Sequence, residues 1–154
     1  MNRTFNNIVL FIAQGAYSGR TPIAPGTAGT VVGVLLYLLL KDLGPVWYCC
    51  VYTAIAAFGS LAAGRADTIL GTKDNPTIVI DEIAGFLVAM FLVPFTWRTV
   101  AAGFILFRVF DIVKPWPLKR VQDIPGGVGV MLDDLGAAVY TNVVLQVVLL
   151  VSGS

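Results

Sequence analysis

The chain has 154 residues, 57% hydrophobic and only 12% charged, with a net charge of +1 and a mean hydropathy of +0.84. The length fits a single domain over 1–154, the apolar excess points to a membrane rather than the cytosol, and the near-neutral charge excludes a nucleic-acid binder, which would carry a basic face. Histidine is absent, so every mechanism with an imidazole base, nucleophile or metal ligand is excluded as well.

In chain order, Arg3 precedes a short apolar run at 8–13, the outline of a secretory signal. One basic residue and no small-x-small cleavage site argue against removal. A short helix lying against the bundle or the membrane surface is expected instead. The segment SGRTPIAPGTAGT at 18–30 follows, and its prolines, glycines and threonines lead straight into an apolar run. That composition suits a tight loop presenting amides at a helix N-terminus, where anions bind. A plain helix start with Thr27 as N-cap explains it equally well.

Apolar runs at 28–40, 46–63, 83–95, 100–110 and 135–151 are read as five helices. Crossing a bilayer takes about 20 residues, with about 17 as the lower limit, so the second and last qualify most comfortably. The others span only if tilted, extended or packed inside the bundle. Gly44-Pro45, Pro94 and Pro115-Trp116-Pro117 punctuate the runs as helix breakers do. Gly29 with Gly33, and Gly59 with Gly64, are spaced for close helix contacts. Cys49 and Cys50 fall inside the second run, where two small buried hydrophobes are expected. The fold class expected is therefore all-α: a compact membrane-embedded bundle of about five main helices plus a short N-terminal one.

Letting each run cross the bundle once sorts the charges. Arg20, Arg65, Lys73, Arg108, Lys114, Lys119 and Arg120 fall on one side, with only Lys41 and Arg98 opposite. The positive-inside rule makes the first side cytoplasmic. Eight of the nine carboxylates lie on that side too, leaving Asp42 alone opposite.

No reactive-cysteine phosphatase loop, Asp-x-Asp nucleophile pair or Walker-type glycine loop is present. What remains is carboxylates, arginines, lysines and backbone amides, the parts of a magnesium site completed by substrate phosphate. Asp81-Glu82 and Asp133-Asp134 each open an apolar helix, where capping and the helix dipole also favour acids. Asp111 closes a run, where the dipole disfavours it, and Arg108 three residues earlier offers an ion pair. Arg108 and Lys114 are candidates for phosphate oxygens. Lys119 and Arg120 are candidates for lipid headgroups, and Arg65 and Lys73 for either role. Asp67, Asp74 and Asp123 look peripheral.

Taken together, four blocks resemble the bacterial phosphatidylglycerophosphatase A family: GRTPIAPGTAGT at 19–30, IVIDEIAG at 78–85, FRVFDIVKPWP at 107–117 and GGVGVMLDD at 126–134. They stand in the family's order and cover most of residues 15–140. Pro125 stands where some relatives carry histidine, and Asp67 where glutamate is common. The resemblance implies a magnesium-dependent phosphatase of the bacterial inner membrane that hydrolyses phosphatidylglycerophosphate to phosphatidylglycerol and inorganic phosphate. It also implies that Asp81, Glu82, Asp111, Asp133 and Asp134 gather around Mg2+.

The mechanism expected from these residues has Mg2+ gripping the phosphomonoester, a metal-polarised water attacking phosphorus, and a carboxylate among Asp81, Glu82, Asp111 and Asp134 taking the proton. Arg108, Lys114, Arg20 and the amides around Gly26 and Thr27 would bind the phosphate. Two other classes are weighed against this. A small ion transporter would line a path through the bilayer with acids, whereas here every acid sits at a helix end. A synthase using a cytidine diphosphate alcohol would carry an Asp-x2-Asp-Gly-x2-Ala-Arg signature, which is absent.

Overall fold

The structure, a computed structural model, describes residues 3–73, 75–116, 118 and 127–153. Asp74, Pro117, Lys119, Arg120, Asp123, Pro125 and Gly126 lie outside the described residues. The described residues are all-helical, with six α-helices: α1 (Arg3–Ala13), α2 (Pro25–Leu40), α3 (Pro45–Leu70), α4 (Ile80–Ala89), α5 (Trp97–Val113) and α6 (Gly127–Ser152). A 3-10 turn at Ser18–Arg20 joins the approach to α2.

The short helix α4 is the centre of the bundle, packed by α2, α3, α5 and α6. Eight of its ten residues are buried. Close approach requires small residues on its neighbours. A Cβ at position 33 of α2 would stand 3.0 Å from the Cβ of Phe86 and 3.3 Å from the Ile83 backbone. At position 59 of α3 it would stand 2.7 Å from Ile80. Gly33 and Gly59 thus make close helix contacts, and both face α4.

The apolar run at 83–95 does not make one helix. It ends at Ala89, in the protein interior, where free carbonyls are costly unless they find donors. Tyr48 Oη donates to the Leu87 carbonyl at 2.7 Å, and Asn142 Nδ2 donates to the Ala89 and Phe91 carbonyls at 3.0 and 2.8 Å. Those long-range donors let a ten-residue helix stop inside the bundle. The chain then turns through Leu92, in the left-handed region at φ 56°, and Thr96 restarts it as α5 with a capping box to Thr99.

Helices α3 and α6 are long and apolar enough to cross a membrane, the apolar windows having mean hydropathies of 1.6 and 1.9. Their outer faces carry exposed Phe58, Leu61, Val139, Val143, Val147 and Leu150. Helix α1 packs on α3 through Val9 and Ala13 and turns Phe5, Ile8 and Phe11 outward, in agreement with a short helix against the bundle. The cysteine expectation is corrected: Cys49 is half-buried and Cys50 is exposed on α3. Neighbouring residues on a helix point about 100° apart, so both cannot face the core.

Candidate active site and family membership

One end of the bundle is a cleft of about 340 Å³, framed by the starts of α2 and α4, the ends of α3 and α5, and the first turns of α6. Asp81, Glu82, Asp111, Asp133, Asp134, Arg108, Lys114 and Gly26 all line it. The opposite end, where Phe95 packs near Tyr37 and under Lys41, holds none of these.

Each acid reaches the cleft from a particular place in its helix. The expectation that Asp81 caps α4 is corrected: Val79 is the N-cap, and Asp81 and Glu82 lie inside the first turn. Asp133 and Asp134 do not open α6 either, because that helix begins at Gly127 and carries them in its second turn. A capping role therefore explains neither pair. Asp111 lies in the last turn of α5, and Arg108 Nη1 donates to its Oδ2 at 2.7 Å while standing 3.7 Å from Glu82 Oε1. The i,i+3 ion pair is thus formed, but inside the cleft, with both side chains largely covered. Lys114, in the left-handed region just beyond α5, pairs with Asp133.

The electrostatics of this cleft are unfavourable as the protein alone supplies them. Six carboxylates, Asp67 among them, face two cations, and buried charge is costly unless paired. Asp81 Oδ1, Glu82 Oε2, Asp133 Oδ1 and Asp134 Oδ2 are buried with no hydrogen-bond partner. Burial raises the Asp81 carboxyl above its usual range. Burial, followed by the adjacent Asp81 charge, holds Glu82 well above its own. At Lys114 burial acts to lower the ammonium, but Asp133, with Asp111 and Asp134, outweighs it and raises it.

The acids fall into two groups that share one member: Asp81, Glu82 and Asp134, and Asp111, Asp133 and Asp134. In each, the ligand atoms lie within 4.8 Å of one another. Unpartnered, hard carboxylate oxygens at that spacing fit a hard divalent cation.

Two predicted substrate contacts are placed elsewhere. Arg20 donates from Nε to Gln14 Oε1 at 2.8 Å and stacks 4.1 Å from the Tyr17 ring centre, away from the cleft lining. Thr27 is neither on the lining nor the N-cap of α2, which is Ala24, with Pro25 as the first helical residue. Gly26 does reach the cleft. A Cβ there would collide with Glu82 Oε1 and stand 2.9 Å from both terminal nitrogens of Arg108.

Sequence reasoning also missed two residues on the lining, Asp67 and Asn75. Asp67 Oδ1 accepts from the Asn75 amide at 3.1 Å. The Asn75 side-chain oxygen in turn accepts from Thr77, whose hydroxyl accepts from buried Gln14, the partner of Arg20. Asp67 follows Ala63 by four residues on α3, one helical face, and that spacing was the available signal.

The phosphatidylglycerophosphatase A family matches this chain over residues 11–149, nearly its whole length and all of the cleft-lining segments. The chain belongs to that family. A Haemophilus influenzae phosphatidylglycerophosphatase A is 33% identical over 142 residues, covering 90% of this chain and 87% of its own. The Escherichia coli phosphatidylglycerophosphatase A is 33% identical over 136 residues, 87% of this chain and 79% of its own. A Bacteroides thetaiotaomicron protein provisionally named a phosphatidylinositol-3-phosphatase is 35% identical over 147 residues, 90% of this chain and 91% of its own. No solved structure matches the chain.

Proposed function

We propose that this protein is a magnesium-dependent lipid phosphatase that hydrolyses phosphatidylglycerophosphate to phosphatidylglycerol and inorganic phosphate. One observation carries the reading beyond family membership: Asp81, Glu82, Asp111, Asp133 and Asp134, four of them with a buried unpartnered oxygen, share one cleft with Arg108 and Lys114. A divalent cation held among Asp81, Glu82, Asp111, Asp133 and Asp134 would supply Lewis acidity toward phosphate oxygens and water.

The chain's own groups do the rest. Arg108 and Lys114 offset the negative charge on the phosphoryl oxygens, the guanidinium in bidentate fashion and the ammonium as a point charge. Gly26, lacking a side chain, lets Glu82 and Arg108 pack against the first turn of α2, whose helix dipole adds to the positive field at the phosphate end of the cleft. Glu82, whose pKa burial has raised, is suited to take the proton from the attacking water. Water adds to phosphorus, the P–O bond to the lipid glycerol breaks, and the leaving oxygen takes a proton.

The protein sits in the bacterial inner membrane in this reading, through the lengths and apolar outer faces of α3 and α6. A cytoplasmic cleft is supported by the positive-inside rule, since Arg20, Arg65, Lys73, Arg108 and Lys114 belong to the segments at its end and Lys41 and Arg98 to those at the other. An ion-transport role is not favoured. Directly beneath the acids the interior is filled by Phe86, Leu87 and Phe107, all fully buried. The test is phosphate release from phosphatidylglycerophosphate and, separately, from phosphatidylinositol 3-phosphate, each with and without a chelator. Magnesium-dependent release from the first, in excess over the second, is expected.

A further inference from the structure

A second cavity, of about 310 Å³, runs between α2 and α5 on the outside of the bundle. Every residue lining it is hydrophobic, among them Val31 and Val34 of α2 and Trp97, Ala101, Phe104 and Ile105 of α5. Val31, Ile105 and Trp97 are 47%, 61% and 67% exposed, so the chain's own residues leave much of this apolar surface uncovered.

The groove is aligned with the catalytic cleft along α2 and α5. On α5, Trp97, Ala101 and Phe104 are followed at the same three- and four-residue steps by Arg108 and Asp111, so groove and site share one face of one helix. On α2, Thr27 precedes Val31 and Val34 by four and seven residues, next to Gly26 of the cleft. At about 1.5 Å rise per residue, Ile105 lies roughly 5 Å along α5 from Arg108, and Val31 roughly 8 Å along α2 from Gly26. The groove therefore begins one to two helical turns from the phosphate site and leads away from it.

We infer that this groove holds an acyl chain of the lipid whose phosphate occupies the cleft. The inference rests on the lipid-phosphatase reading above. Size favours an acyl chain over a partner protein, since the volume lies at the low end of the roughly 300–1,000 Å³ typical of small-ligand sites. Its apolar lining and its alignment with the cleft supply the rest. An apolar chain attached to a phosphorylated head matches the groove and the cleft together.

The test compares kcat/KM for long-chain phosphatidylglycerophosphate in mixed micelles with kcat/KM for its deacylated headgroup. Ala101→Trp fills the groove from an exposed position, and Leu61→Trp on the outer face of α3 controls for added bulk elsewhere. The ratio of long-chain to deacylated kcat/KM is expected to fall about tenfold in A101W, the loss of roughly two buried methylenes, and to hold in L61W. An unchanged ratio in A101W overturns the groove assignment. If the wild-type chain releases phosphate from neither substrate, the phosphatase reading fails and the groove falls with it. A second measurement needs no variant: a substrate with a photoactivatable diazirine at mid-chain should label residues 97–105 and 31–34. Label spread evenly over the outer faces of α3 and α6 also overturns the proposal.

Discussion

The backbone of Gly26 and the carboxylate of Glu82 lie so close that no side chain fits between them, and Arg108 closes the same space from α5. The start of α2 is thereby held against the acidic turn of α4. Because the groups a new methyl would strike are ends of flexible side chains, Gly26→Ala should fold while displacing Glu82 and Arg108. We expect a fall in kcat/KM of about 100-fold from misplacement of reacting groups by about 1 Å. Near-wild-type turnover in this variant would show that the contact does not matter to the site.

Asp134 belongs to both acidic groups. Asp134→Asn should therefore weaken divalent-cation binding more than Asp133→Asn or Glu82→Gln, each of which removes a member of one group only. Calorimetric titration with magnesium would check the order. Equal effects for all three would contradict a shared central ligand.

The pH dependence follows from burial. Glu82 has a folded pKa well above its ordinary value, so the metal-free folded state binds more protons than the unfolded chain between those two values. Metal-free stability is then greatest below the ordinary carboxylate range and is lost as pH rises through the folded pKa, by up to about 1.4 kcal/mol per pH unit for each such group. Asp81, raised in the same direction, adds to the trend. Magnesium competes with those protons, so its affinity should rise with pH and its presence should flatten the decline. Thermal melts in detergent across pH, with chelator and with magnesium, test both signs.

Arg20 should behave as a structural residue. Its partners are Gln14 and Tyr17, and Gln14 carries the connection to Thr77 and the Asn75 segment beside the cleft. Arg20→Ala should cost about 1 kcal/mol of stability and leave KM within about twofold of wild type, whereas Arg108→Ala should impair turnover severely, given the roughly 2 kcal/mol or more that a charge-assisted contact contributes. A large KM increase in Arg20→Ala would return it to substrate binding.

Much of this arrangement was legible from residue types. The breakers at Gly44-Pro45 and Pro94 separated the helices, elimination of histidine and thiol chemistry left the carboxylates, and the family resemblance named the five acids that the structure brings together. Hydropathy misplaced helix ends wherever a charge lies inside a helix. It cut α3 before Arg65 and so set Asp67 aside, and it started α6 beyond Asp134 rather than at Gly127. The early end of α4 depends on Tyr48 and Asn142, 39 and 53 residues from the carbonyls at Leu87 and Ala89, a pairing that no local pattern encodes. The contacts of Arg20 with Gln14 and Tyr17 were not legible because a basic residue in a polar loop reads alike whether it meets phosphate or a buried glutamine.

The central claim is that this acidic cluster holds a divalent cation and hydrolyses a lipid phosphomonoester. It is tested most directly by phosphate release from phosphatidylglycerophosphate by the purified full chain and by Asp111→Asn, each with magnesium, with chelator, and after magnesium is restored. The account predicts release by the wild-type chain that chelator abolishes and magnesium restores, and loss of at least about 100-fold in Asp111→Asn. Chelator-resistant release, or wild-type turnover by Asp111→Asn at saturating magnesium, would contradict it.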